Sequence, residues 1–439
     1  MLSYHIRTAA KSLRRNPVLS SIIVGGIALG ICASTTFTTA RHMMGRDPLP
    51  GRSDRIYYVR LDSWDATRPY DDDGTNPRHL PPQVTYRDAM ELLKSPIPLR
   101  KSIQFRTTFI VYPDPKQSRP FNAQGRACNS DFFPMFGVPF AYGGPWDRRA
   151  EAKGEQVVVL DHNTNETLFG GRNSVGQRVR LNDRDFTVVG VLAPWRPNVR
   201  YYDMLSNPLG PPEALFVPYT LLTTLQLRAA GNKDNWKPLP PNATFDQLLA
   251  SERIFMQFWV ELRSSADLAA YNRYLDDYAR SQKQLGRFPR PLNNAATPMM
   301  ELMKQWRVIS PRLTAMATMS VLFLVICALN LTGLLLGKFL ARAPEISVRR
   351  ALGATRSAIF LQHIVECELV GVVGGTIGIL LSLGALAFIS KFIGATTHIG
   401  LDFEMVMTAV FLSLVAGLIA GLYPAWRICS LQPAMQLKR

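Results

Sequence analysis

Few residues of this chain have the type and spacing for covalent chemistry. The pattern Gly-x4-Gly-Lys-Ser/Thr is absent, and Gly333-Leu-Leu-Leu-Gly-Lys-Phe339 has the wrong spacing inside an apolar run. A phosphate loop needs that spacing so that successive backbone N–H groups cradle the phosphates within reach of the lysine. The chain therefore has no P-loop means of hydrolysing ATP, and it is expected not to be an enzyme. The 6 histidines are scattered, and Asp71-Asp-Asp-Gly74 lacks the spacing and terminal glutamate of a calcium loop. The 5 cysteines show no zinc spacing, and Cys128 stands alone in the polar middle of the chain, so no disulfide and no metal site are expected there.

What remains is electrostatic and steric. Arg342, Arg349, Arg350 and Arg356 surround a single acid, Glu345, in a short segment. Pro344 suits the first turn of a helix and Glu345 its N-terminus. Glu366 stands near the start of an apolar run, where carboxylates are costly and functional by default. His363, three residues earlier, shares its helical face. A salt bridge or hydrogen bond at an interface is expected for Glu366 rather than a metal. Gly371, Gly374, Gly375 and Gly378, then Gly417 and Gly421, place small residues about four apart, which lets helices approach closely. Packing within one chain and packing across a dimer both satisfy that pattern.

The elements that position these residues are apolar helices. Residues 16–40, 313–337, 369–390 and 405–426 carry no charge, and each run exceeds the roughly 20 residues needed to cross a bilayer. Nothing between Arg41 and Pro311 does; the run 214–227 is too short and holds a proline. The expected fold is an α-helical membrane protein with four transmembrane helices, one then three, and a large α+β extracytoplasmic domain between the first two. The divisions are 1–17, a cytoplasmic amphipathic helix; 18–40, the first span; 41–311, the outer domain; 312–338, the second span; 339–360, a cytoplasmic loop; 361–390, the third span; 391–404, a short outer loop; 405–426, the fourth span; and 427–439, a cytoplasmic tail.

Orientation follows from the basic residues, which stay cytoplasmic in short loops. Arg7, Lys11, Arg14 and Arg15 precede the first span, Lys338 and four arginines fill the second loop, and Arg427, Lys438 and Arg439 follow the last span. Lys391 meets Asp402 and Glu404 in the outer loop. Both termini are thus expected in the cytoplasm of a bacterial inner membrane. Of the net charge of +17, the insert holds +8, spread without a basic run, so nucleic acid is not expected as a partner. Anionic membrane lipid is the simpler partner for the rest. The first apolar run is long for a signal peptide and lacks a clean small-x-small site before Arg41, so an uncleaved anchor is expected. Leu2, Ile6, Ala9, Ala10 and Leu13 recur at helical spacing, as an interfacial helix requires.

Within the insert, 56–61, 107–112, 156–160 and 216–218 read as strands, 179–192 as a hairpin around Asn182, 255–262 as a strand and 266–281 as a helix. Residues 60–82 read as a mobile loop.

These residues resemble the permease subunits of bacterial ABC transporters of the MacB/FtsX type, over nearly the whole chain. The pieces are Leu13-Arg-Arg-Asn-Pro17, Gly26-Ile-Ala-Leu-Gly30, Asp131-Phe-Phe-Pro-Met-Phe-Gly-Val138, Leu168-Phe-Gly-Gly171, Val175-Gly-Gln177, Phe186-Thr-Val-Val-Gly-Val191, Glu345-Ile-Ser-Val-Arg-Arg-Ala-Leu-Gly-Ala-Thr-Arg356, Glu366 with Gly374-Gly375, and Gly421-Leu-Tyr-Pro-Ala-Trp426 with Pro433-Ala434. Each is weak alone; in order and on this topology they are specific. Ser347 and Pro344 depart from the family's usual glycine and charged residue.

The resemblance implies that residues 345–353 dock on a separate cytoplasmic ATPase. Glu345, Arg349 and Arg350 would make charged contacts, and Ile346, Val348 and Leu352, beside Ala351 and Gly353, would fill a groove. It also implies a second permease, identical or not, and leaves room for a periplasmic adaptor. No cofactor is expected on this chain, ATP and Mg being bound by the ATPase. The expected function couples ATP hydrolysis to motion of the outer domain for export. The alternative is a membrane-anchored envelope sensor or scaffold that transmits signals without transport.

Overall fold

The computed structural model describes residues 7–9, 11–12, 15–70, 78–113, 119–392 and 402–430. It divides into two compact units, Asp47–Val308 and a helical unit formed by Met1–Arg46 with Ile309–Arg439.

Four helices of the second unit are long and apolar enough to cross a membrane. They are α1 (Pro17–Gly45), α4 (Pro311–Leu340), α6 (Arg356–Phe392) and α7 (Phe403–Ser430), with α5 (Ala343–Ala351) short and between α4 and α6. Pro17 and Pro311 open α1 and α4, where a missing N–H costs nothing, and Ser310 caps α4 through Leu313 N. The 37 residues of α6 would span about 55 Å, well beyond an about 30 Å hydrocarbon layer.

Glycines set the spacing of the bundle. A Cβ on Gly374 would meet Ile27 Cβ at 2.9 Å, and one on Gly378 would meet Ala28 O at 2.7 Å, so this face of α6 lies against α1. Gly371 and Gly375 turn to α7, where added Cβ atoms would stand 3.0 Å from Ser413 O and 2.5 Å from Ser413 Cβ. Gly417 and Gly421 of α7 return the contact, 3.3 Å from Cys367 O and 2.5 Å from Cys367 Cβ. All six close approaches are made inside this chain. Gly30 serves likewise against Leu324 of α4.

The inserted unit is built on a mixed sheet. In chain order its strands are β1 (Ile56–Arg60), β2 (Val84–Thr85), β3 (Arg100–Tyr112), β4 (Phe121–Cys128), β5 (Phe140–Gly143), β6 (Val157–Leu160), β7 (Arg178–Leu181), β8 (Arg184–Leu192), β9 (Leu215–Pro218), β10 (Ile254–Glu261) and β11 (Ala295–Pro298). The order across the sheet is β11-β1-β10-β3-β4-β9-β6-β8-β5, with β2 beside β10 and β7 beside β3 and β8. Pairing is antiparallel except for β4–β9 and β6–β8. Every residue of β10 is buried, as its near-continuous apolar run requires of a strand covered on both faces. Asn182 and Asp183, both at positive φ, turn β7 into β8 at the expected position. Asn182 Oδ1 accepts from Ile110 N at 2.7 Å, which ties the turn to β3.

Two helices matter for the packing, α2 (Tyr86–Leu92) and α3 (Ser265–Gln284). Tyr278 of α3 donates to Asp88 Oδ1 of α2 at 2.6 Å, and Arg287 meets the same carboxylate at 2.9 Å. The motif Asp131-Phe-Phe-Pro-Met-Phe folds as one helical turn whose Phe132, Phe133 and Phe136 are fully buried, against Tyr202, Phe216 and Trp259.

One expectation is corrected. Residues 60–82 are not loose throughout: Leu61, Trp64 and Leu80 are buried, and Asp62 pairs with Arg290 at 3.0 Å. The alternation that marks β1 stops at Leu61, and long-range contacts hold the flanks instead. Asp71-Asp-Asp-Gly74 lies outside the described residues, as do Leu2, Ile6, Ala10, Leu13, Arg14, Pro433 and Ala434.

At the centre of the sheet lies an ionic cluster with no exposed side chain. Arg126 Nη2 sits 2.5 Å from both Asp203 Oδ2 and Glu213 Oε1, and Arg200 Nη2 lies 2.6 Å from Asp203. Gln104 and Gln257 complete the hydrogen bonds, Gln257 Nε2 donating to Asp203 Oδ1 at 2.8 Å. Two cations and two carboxylates balance, which burial demands. Burial alone would raise the Asp203 pKa; Arg126 and Arg200 outweigh it and hold that carboxyl well below its ordinary value.

Candidate functional site

The charged groups of the helical unit gather where α4, α5 and α6 meet. Because α4 and α6 run as neighbours through a short connection, the end of one lies beside the beginning of the other. Lys338 of α4 and Glu366 of α6 thus face each other, Nζ to Oε1 at 2.7 Å, both buried. The ammonium makes no aligned hydrogen bond, so the contact is Coulombic. Ser12 Oγ donates to the same carboxylate oxygen. Arg342 Nη1 stands 3.8 Å from it and donates to Ser12 Oγ at 2.6 Å. One carboxylate therefore ties the N-terminal segment, α4 and the start of α5 to α6.

His363 does share the face of Glu366. Its Nδ1 is 2.8 Å from Ile359 O, and its ring packs edge-on to Phe339 at 4.4 Å. That ring is held as packing, and among the described residues no group of three or more metal-ligating side chains occurs.

A cleft of about 240 Å³ opens beside this cluster. Lys11, Arg15, Arg342 and Arg349 line it against Glu345 and Glu366, so its walls are basic overall.

The short helix α5 starts as its sequence requires, with Pro344 in the first turn and Glu345 at the N-terminal end. Gly353, at φ +100°, lies just past the helix in the left-handed region, where a side chain would be strained. Arg349 Nη2 reaches back to Glu345 Oε1 at 2.8 Å, one helical turn away, and Nη1 lies 3.4 Å from Gln362 Oε1. Arg350 is half-buried.

The helix shows two faces. Ile346 and Ser347 turn into the bundle, Ile346 joining a core with Phe339, Ile359 and Ile428. Val348 and Leu352 are exposed, Leu352 at 82%. Glu345, Ala351 and Gly353 are exposed with them. This corrects the expected groove-filling set. Ile346 anchors α5 to its own chain, and the free apolar surface is Val348 and Leu352. With Glu345 they recur at i, i+3 and i+7, a single stripe.

The six expected packing glycines lie deeper, in the α1–α6 and α6–α7 seams described above. Lys338, Arg342 and Ser12 were not singled out as partners of Glu366 by sequence reasoning. Lys338 counts there only as one more basic residue of a loop. Its signal was position: a lysine preceded by 25 uncharged residues can be held buried only by a carboxylate, and Glu366 is the nearest unpaired one along the chain.

Known proteins carry the same organisation. The family model described as MacB-like periplasmic core domain matches residues 20–278, and that described as FtsX-like permease C-terminal matches residues 317–433. The macrolide export ATP-binding/permease protein MacB of Burkholderia cenocepacia is 26% identical over 377 residues, which cover 83% of this chain and 50% of that protein. A probable export ATP-binding/permease protein of Pseudomonas fluorescens is 26% identical over 319 residues, 72% of this chain and 43% of its own length. The chain spans about half the length of the curated relatives it matches. Among solved structures, the periplasmic region of MacB from Actinobacillus actinomycetemcomitans aligns with 59% of this chain and 97% of its own, at 15% identity and a TM-score of 0.37.

Proposed function

The chain belongs to the family that joins a MacB-like periplasmic core domain to an FtsX-like permease domain, and from that premise we propose that it is the permease part of a bacterial ABC exporter. It sits in the inner membrane with both termini in the cytoplasm, as the basic residues flanking the apolar helices favour. No phosphate loop occurs in its 439 residues, so the ATPase comes from outside this sequence. The relatives, whose names join ATP-binding and permease functions, support that division of labour.

The observation that carries the reading is the two-faced helix α5. Its inner face is fixed to the bundle by Ile346 and, through Arg342, to the Lys338–Glu366 pair. Its outer stripe of Glu345, Val348 and Leu352 is free for a partner's groove. A force applied to that stripe passes into α4 and α6 without a flexible joint, because the buried pair binds both. Motion of the outer domain then follows from tilting of rigid helices. The sparse charge inside the spans suits a transmitter of motion better than a channel. Two permeases act together, meeting through surfaces other than the glycine seams, which are occupied within the chain.

Tagging the chain, solubilising native membranes gently and identifying every co-purifying protein by mass spectrometry tests this. A P-loop ATPase at matching stoichiometry is expected, together with a second permease copy or partner. Only envelope proteins, with no ATPase even under crosslinking, would replace the reading by an envelope sensor or scaffold.

A further inference from the structure

The inserted unit holds a cleft that the transporter reading does not use. Its volume is about 450 Å³, inside the range of small-molecule sites. Leu222, Leu227, Leu248 and Phe255 give it an apolar floor. Arg228, Lys233 and Arg253 stand at its edge, and no carboxylate among the described residues lines it.

The surrounding backbone is well tied. Ala230 N donates to Arg106 O at 2.7 Å and Thr107 Oγ1 to Arg228 O at 3.1 Å, which fixes one wall to β3. The opposite wall is a short helix, Phe245–Leu249, closed at its start by the reciprocal Thr244–Gln247 cap. It leads into β10.

The three cations are without ion pairs among the described residues. The acids near them are engaged elsewhere or do not line the cleft. Glu252, beside Arg253, turns inward to Arg87 at 2.7 Å and Arg287 at 2.9 Å. Asp234, beside Lys233, accepts from Asn235 N at 2.8 Å. Apolar walls favour a hydrocarbon, and unpaired cations at its mouth favour an anion that Arg can bind in fork geometry. A macromolecular acid such as nucleic acid would use the cations and waste the floor. A neutral apolar drug would use the floor and leave the cations unmatched.

We propose that this cleft binds a single-chain amphiphile with a carboxylate or phosphate-monoester head. The tail lies over Leu222, Leu227, Leu248 and Phe255, and the head meets Arg228, Lys233 and Arg253. At the roughly 30 Å³ that a water molecule occupies, the space holds about fifteen heavy atoms, the size of dodecanoate.

The test uses the full chain in native membranes and a dodecanoate bearing a terminal diazirine. Light should attach it to peptides within 222–255, and dodecanoate or dodecyl phosphate should compete; which competes better identifies the head. Dodecan-1-ol and dodecylammonium should compete at least about tenfold less well. The triple variant R228Q/K233Q/R253Q should lose about tenfold in labelling, and L248W, which fills the floor while keeping the charges, should lose it too. If the triple variant fails to accumulate, K233Q at an exposed position serves alone and should label less than the parent. Equal competition by the alcohol or the amine, unchanged labelling in these variants, or labelling confined to the membrane helices would overturn the proposal.

Discussion

Lys338 Nζ lies 2.7 Å from Glu366 Oε1 although the two residues are 28 positions apart and end different helices. The pair is buried, so its desolvation cost is offset only while both members are present. Removing one partner leaves a buried charge, a change that typically costs about 3–5 kcal/mol. Glu366→Gln should therefore lower the thermal unfolding midpoint in lipid nanodiscs, and the neutral double variant K338M/E366L should recover most of the loss. An E366Q protein as stable as the parent would show that the pair does not hold α4 to α6.

Reversal of Arg349 and Arg350 to Glu should uncouple export from ATP hydrolysis. The Glu345–Arg349 pair is exposed, and such pairs contribute under about 1 kcal/mol, so the variant should reach the membrane at close to parental level. Measured with the partner ATPase present, hydrolysis should continue while export falls. Normal export by R349E/R350E would sink the docking role of α5.

The glycine seams make a contrasting pair of predictions. A Cβ on Gly378 would stand 2.7 Å from the Ala28 carbonyl, whereas one on Gly384 meets nothing within 4 Å. Gly378→Ala should force α1 and α6 apart and destabilise the bundle by about 1–3 kcal/mol, as overpacking does. Gly384→Ala should be neutral or stabilising by up to about 1 kcal/mol, since alanine is the better helix former. Protease resistance of the two proteins in membranes separates them; equal resistance would contradict the seam.

The ionic cluster of the inserted unit predicts both a mutant and a pH response. Arg126→Leu leaves Asp203 and Glu213 with Arg200 as the remaining partner of the cluster, and should cost about 3–5 kcal/mol of that unit's stability. The folded-state pKa of Asp203 lies below its unfolded value, so its contribution is present above the unfolded value and disappears as pH falls through the folded one. In the parent the cluster should thus survive mild acid, down to about pH 4, and fail only in stronger acid. Tryptophan emission followed during acid titration checks this, Trp259 and Trp146 being buried in the unit. A transition already complete at about pH 5 would refute the assignment.

The sequence by itself determined the elements whose signal is local. Four uncharged runs longer than a bilayer is thick have no soluble alternative, so the four spanning helices and the insert between the first two were legible. The β7–β8 hairpin was legible because Asn182 and Asp183 tolerate positive φ. The basic helix α5 was legible through Pro344 and Glu345. What periodicity could not supply was which side of a helix meets which neighbour. Glycines four apart fit a dimer or a single chain equally, and only the bundle shows Gly378 against Ala28 and Gly421 against Cys367. Ile346 and Val348 are both apolar and two apart, so composition treated them alike, while tertiary packing turned one inward and the other out. Lys338 found Glu366, and Arg126 found Asp203 and Glu213, across 28, 77 and 87 positions. Burial forces each such charge to have a partner, and chain topology alone decides which.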